Sequence, residues 1–131
     1  MFSPELPQYF FWTTEDIEKF PELPRPVEIW ELKEGESRKV RILRYGLFKD
    51  YISPPFYPPG VKKLTLTLRI FVDPDYKKIG PPYWDMHQAH LISALKPLLD
   101  IPGIDKYVFT ISWVGSGSAA RPEIKMEKII F

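Results

Sequence analysis

The run Val61-Lys62-Lys63-Leu64-Thr65-Leu66-Thr67-Leu68-Arg69-Ile70-Phe71-Val72 decides the fold class. Leu64, Leu66, Leu68, Ile70 and Val72 recur at period two, which puts them on one face of a strand against a core. Lys63, Thr65, Thr67, Arg69 and Phe71 fall on the other face: two cations, two hydroxyls and one ring. Asp73-Pro74-Asp75 then ends the strand.

Further strands are expected on both sides of this run. Towards the C-terminus, a turn at Gly80-Pro81-Pro82 precedes Tyr83-Trp84, and Asp85 is the expected cap of a helix over 87–96, stopped by Pro97. Leu91 and Leu95 are four apart, and Ile92 and Leu99 widen that apolar stripe. Residues 106–114 alternate again, with Tyr107, Phe109, Ile111 and Trp113 on one face. Gly115-Ser116-Gly117-Ser118 reads as a loop and 123–131 as a closing strand. Towards the N-terminus, 46–60 reads as a long Pro-rich loop, with strands at 38–45 and 27–32 around a turn at 33–37. Residues 1–27 read as an arm carrying one short helix. Thr13 is its N-cap, Glu15 and Asp16 lie in its first turn, and Trp12 and Ile17 have staple spacing.

Composition narrows the class. Pro is 15 of 131 residues, about twice the usual share, which argues against a helix bundle. With 44% hydrophobic residues the chain can bury a core, which argues against disorder throughout. Cys is absent, so disulfides, thiol nucleophiles and Cys-ligated metals are excluded. No run of about 18 apolar residues is present, so no membrane span is expected. Residues 1–12 lack the basic start of a signal peptide, which makes an intracellular location the expectation.

The formal net charge of +1 conceals a segregation. Residues 1–36 hold nine acids and three bases (−6), residues 37–78 ten bases and three acids (+7), and residues 79–131 five of each. Such asymmetry points to an anionic partner for the middle segment, and to the arm as its competitor or as a dock for a second subunit. Solvated strand faces with edge-guarding cations would give a similar count.

Candidate chemistry follows from what is clustered. His87 and His90 are three apart on the expected helix, but two His without Cys make a poor metal set. Ser116 and Ser118 lie between strands, which is not the elbow of a serine hydrolase, and their loop lacks the ending of a phosphate-binding P-loop. The pairs Glu15/Asp16 and Asp73/Asp75 sit at element ends, where capping accounts for them. No catalytic residue, metal or cofactor is therefore assigned.

Rings interleaved with cations remain. Arg41, Arg44, Tyr45, Phe48 and Tyr51 are close in sequence, and Lys62, Lys63, Arg69 and Phe71 follow on the next strand. Single-stranded nucleic acid calls for this mixture, because cations neutralise phosphates and rings stack on bases. A strand order with one helix before the last two strands suits an OB-like small barrel of about five strands, and it suits other α+β sheets too.

The segment Glu28-Ile29-Trp30-Glu31-Leu32-Lys33-Glu34-Gly35-Glu36-Ser37-Arg38-Lys39-Val40-Arg41-Ile42-Leu43 resembles the opening strands of viral and phage helix-destabilising single-stranded DNA-binding proteins. Tyr107-Val108-Phe109-Thr110-Ile111-Ser112-Trp113-Val114-Gly115-Ser116-Gly117 resembles their late strand and its Gly-Ser-Gly connection. The chain has neither the Cys and His ligands of zinc-bearing members nor an acidic C-terminal stretch. The resemblance implies an OB fold, sequence-tolerant binding of single-stranded DNA, and Arg41, Lys63, Arg69 and Phe71 on the binding sheet.

The expectation is thus a mainly β, OB-like domain over 28–131 behind an acidic arm over 1–27. Its expected function is non-catalytic binding of single-stranded DNA, with RNA a possible ligand and self-association through the arm. The alternative is a structural or interaction protein, since Pro-rich and aromatic loops also suit protein interfaces.

Overall fold

The computed structural model describes residues 12–53 and 58–129. Tyr9, Phe10 and Phe11 of the arm, residues 54–57 of the Pro-rich loop, and residues 130–131 lie outside the described residues. A five-residue helix α1 (Thr14–Glu18) opens the described chain. Strands β1 (Ser37–Val40), β2 (Ile42–Ile52), β3 (Lys63–Val72) and β4 (Tyr83–Met86) follow, then helix α2 (Ala89–Leu99) and strands β5 (Tyr107–Val114) and β6 (Arg121–Lys128). The protein is mainly β, with its longer helix ahead of the last two strands.

Two three-stranded antiparallel sheets form, in the orders β1-β5-β6 and β2-β3-β4. One chain run serves both. Residues 37–40 pair with β5, the register shifts near Arg41, and residues 42–52 pair with β3. Among the described residues no ladder joins β4 to β6, so the sheets do not close into a ring.

The core lies between the sheets under α2. Leu66, Leu68, Ile70 and Val72 of β3 are buried there with Leu91, Ile92, Leu95 and Leu99 of α2 and Phe109 and Ile111 of β5. The period-two reading of β3 and β5 therefore holds. Ile17 of α1 and Trp30 join the same core, so the described part of the acidic N-terminal segment is part of the fold. Thr13 caps α1 as expected: its hydroxyl accepts from the Asp16 N–H, and the Asp16 carboxylate accepts from Thr13.

Four expectations need correction. Residues 27–32 form no ladder strand; Ile29 makes one parallel bridge to Asp85. The expected loop at 46–60 is strand as far as Ile52, because its prolines begin at position 54 and 46–52 keep their amide donors for pairing with β3. Asp85 caps nothing: it lies inside β4, and Gln88 occupies the N-cap of α2 without a side-chain bond. Pro97 sits inside α2 rather than ending it. In the last turn it removes a single backbone donor, and the helix runs on to bury Leu99.

Candidate nucleic-acid interface

The outer face of the β2-β3-β4 sheet was expected to be open and basic. Register places Arg44, Gly46, Phe48 and Asp50 of β2 there, beside Phe71, Arg69, Thr67 and Thr65 of β3 and Tyr83 and Asp85 of β4. Residues 21–30 cross this face as a strap. At the β2 edge, the Leu23 N–H donates to the Lys49 carbonyl and the Lys49 N–H to the Pro21 carbonyl, both at 2.9 Å. At the β4 edge, the Trp30 N–H donates to the Asp85 carbonyl (3.0 Å) and the Asp85 N–H to that of Glu28 (2.6 Å). Leu23 is buried between these anchors.

Side chains of the sheet hold the strap down. The Arg69 guanidinium donates to the Pro24 carbonyl (2.7 Å), the Pro26 carbonyl (3.1 Å) and both Asp85 carboxylate oxygens (2.7 and 3.1 Å). It stacks 3.8 Å from the Tyr83 ring centroid. The Tyr83 hydroxyl donates to the Pro26 carbonyl, and the Glu28 N–H to the Asp85 carboxylate. Arg25 of the strap reaches Asp50 at 3.1 Å, and His87 lies 3.4 Å from the other Asp50 oxygen. The Pro residues of the strap suit this role, because they keep it extended and leave carbonyls free to accept.

The predicted residues consequently divide. Arg69, expected on an exposed face, is only 4% exposed and fully engaged beneath the strap. Asp85 is its buried counter-ion at 0% exposure, and this pairing is what the polar face of β3 lacked in the sequence reading. Arg41, at the break between β1 and β2, bonds the Asp105 carbonyl (2.6 Å) and the Asp73 carboxylate (3.2 Å). Tyr45 faces the core side and donates its hydroxyl to Asp100, which also accepts from Lys96 at 2.9 Å. These bonds hold the Asp100 carboxyl below its ordinary value, Tyr45 first and Lys96 second, and the same bond raises the Tyr45 hydroxyl. Phe48 lies half-buried over Gly46, whose missing Cβ makes room for the ring.

Arg44, Tyr51, Lys62 and Lys63 are exposed, and Phe71 is half-buried. Arg44 is exposed and stacks 3.8 Å over the Phe71 ring, which is tilted against Tyr83 at 5.8 Å. Lys62 and Lys63 are exposed near the far end of β3, and Lys63 shares the outer parity with Phe71. Tyr51 is half exposed and lies on the opposite parity, so the sheet does not bring it beside Phe71.

A second group of cations belongs to the basic middle segment but was not among the expected site residues. Arg38 of β1 lies 4.5 Å from the Trp30 ring and 4.8 Å from the Trp84 ring, which meet edge to face at 5.0 Å. Its Nη2 donates to the Glu31 carbonyl, while its buried Nη1 has no hydrogen-bond partner among the described residues. Burial lowers the guanidinium from its ordinary value, with Glu36 opposing the shift. Lys77 is buried beside Trp84 and bonds the Ile79 carbonyl (2.6 Å) and Glu28 (3.3 Å). Gly80 at φ 77° closes this turn where a side chain would be strained. Arg38, Lys77, Trp84 and Glu28 line a cleft of about 350 Å³ together with Tyr76, Lys78 and Ile79.

Among the described residues no group of three His, Cys, Asp or Glu is placed to hold a metal ion. No family model, curated protein or solved structure matches the chain.

Proposed function

We propose that the chain is a non-catalytic, sequence-tolerant single-stranded nucleic-acid-binding protein, with DNA as its ligand, built on an open OB-like frame. The frame reading rests on topology. A long first run is shared between two sheets, three strands form one of them, a helix precedes the last two strands, and the final pair returns to the first run. The ligand reading rests on one observation above the others: Arg44 stacked on Phe71 beside Tyr83, at the open end of an outer sheet face that carries Lys63 at its other end. Cations there meet phosphates and a ring there meets a base.

Titration of intrinsic Trp fluorescence with oligothymidine at two salt concentrations tests this. Binding that weakens with salt supports it, and no fluorescence change, or binding indifferent to salt, rejects it. Oligouridine in parallel separates DNA from RNA preference. Phe71→Ala is expected to weaken binding about five- to one-hundred-fold, as loss of one stacked base does. The same variant should keep its cooperative urea transition. A large, salt-resistant assembly free of nucleic acid would favour an interaction protein instead.

A further inference from the structure

The Arg38 cleft has a neighbour. A second cleft of about 370 Å³ is lined by Lys39 and Lys128, and the two clefts share Tyr76 as a wall. Around that half-buried ring the chain gathers Arg38, Lys39, Lys77, Lys78 and Lys128, from β1, the β3–β4 turn and the end of β6. The carboxylates lining the clefts are Glu28, paired with Lys77, and Glu127. Among the described residues Lys39 and Lys128 have no ion-pair partner, and Lys78 reaches Asp75 only at 3.8 Å in full solvent.

We infer that the two clefts form one track for the phosphodiester backbone of a single strand, passing Tyr76, separate from the strapped sheet face. This deepens the nucleic-acid reading and rests on it. Three features favour an anion over an apolar guest. The cations outnumber the carboxylates. Arg38 lines the first cleft and, among the described residues, has no carboxylate ion-pair partner, so its charge is left for an anion. The indole rings of Trp30 and Trp84 fix the guanidinium plane, so a phosphate meets an oriented fork rather than a mobile chain. Tyr76 between the clefts is the ring on which a base would stack.

The test compares two charge-neutralised variants of the full chain with the wild type, using oligothymidine of about 16 nucleotides. One is Lys39→Gln/Lys78→Gln/Lys128→Gln and the other is Arg44→Gln/Lys62→Gln/Lys63→Gln; all six positions are exposed. A track at the clefts predicts that the first variant lowers the slope of log affinity against log salt by about 2, at roughly 0.7 for each phosphate left without its cation. Tyr76→Leu, which leaves the charge unchanged, is expected to weaken binding at least fivefold. Wild-type binding with an unaltered slope in the first variant overturns the track and leaves the sheet-face reading standing. Equal slope losses in both variants with full affinity in Tyr76→Leu show general charge attraction and overturn it also. A wild type that binds no oligonucleotide overturns the track together with the reading beneath it.

Discussion

Two arginines, Arg69 on β3 and Arg38 on β1, occupy contrasting settings. Arg69 is closed in: a carboxylate at 2.7 Å, two strap carbonyls and a tyrosine ring use its fork. Arg38 has one carbonyl, two indole faces and an unpartnered nitrogen beside a cleft. Both stand in the +7 segment, and charge counting treats them alike. The difference shows that a cation's availability is set by the backbone and carboxylates around it. Arg69 is an internal rivet, while Arg38 is held in place with binding capacity left over.

Substituting each arginine is the strongest way to break this contrast. Arg69→Met leaves the buried Asp85 without its counter-ion and strips the Pro24 carbonyl of its donor, with Pro26 keeping only Tyr83, so urea unfolding should show a loss of about 3–5 kcal/mol. Arg38→Met should cost no more than about 2 kcal/mol, the scale of a partly desolvated cation–π contact. Equal losses would erase the distinction. Glycines beside each site give the next effects. Gly46→Ala sets a Cβ 2.8 Å from the Phe48 ring and should cost about 1–3 kcal/mol through overpacking. Gly80→Ala imposes φ 77° on a residue with a side chain and should cost about 1 kcal/mol by thermal unfolding.

Smaller effects sharpen the contrast at its margins. Arg25→Ala removes an ion pair whose Arg side chain is mostly in water, so the loss should stay below about 1 kcal/mol and shrink in salt. Tyr45 is a control on the core-side parity of β2. Its raised hydroxyl contributes stability below the unfolded tyrosine value and loses it as pH rises through the folded value. Asp100 behaves in the opposite sense: its contribution is present above the ordinary 3.8 and is lost as pH falls through the depressed value. Tyr45→Phe should delete one late tyrosinate absorbance step and return Asp100 towards 3.8, readable by carboxyl NMR.

What the sequence made legible was local. Period two exposed the core faces of β3 and β5, and Thr13 with Asp16 announced α1. The strap was hidden, because it is held through the carbonyls of Pro24 and Pro26, which every residue possesses. The role of Asp85 was hidden as well: its partner lies 16 residues earlier, and a nearer helix offered an easy capping role. The cations around Tyr76 come from three separate elements, so no window of sequence contains them together. Aromatics beside bases drew attention to Arg41, Tyr45 and Arg69, whose bonds are already made within the fold.

The break at Arg41 bears on the order of assembly during synthesis. A nascent chain leaving the ribosome can pair β2 with β3 and β4 as soon as about 86 residues are out. β1 belongs to the same continuous run, yet its partners, residues 109–112, emerge later, with β6 behind them. Until then the four-residue start of that run lies beside a finished sheet with its backbone groups unpaired, an edge open to neighbouring chains. Its residues, Ser37, Arg38, Lys39 and Val40, carry two positive charges, which protect such an edge from self-pairing while it waits for β5.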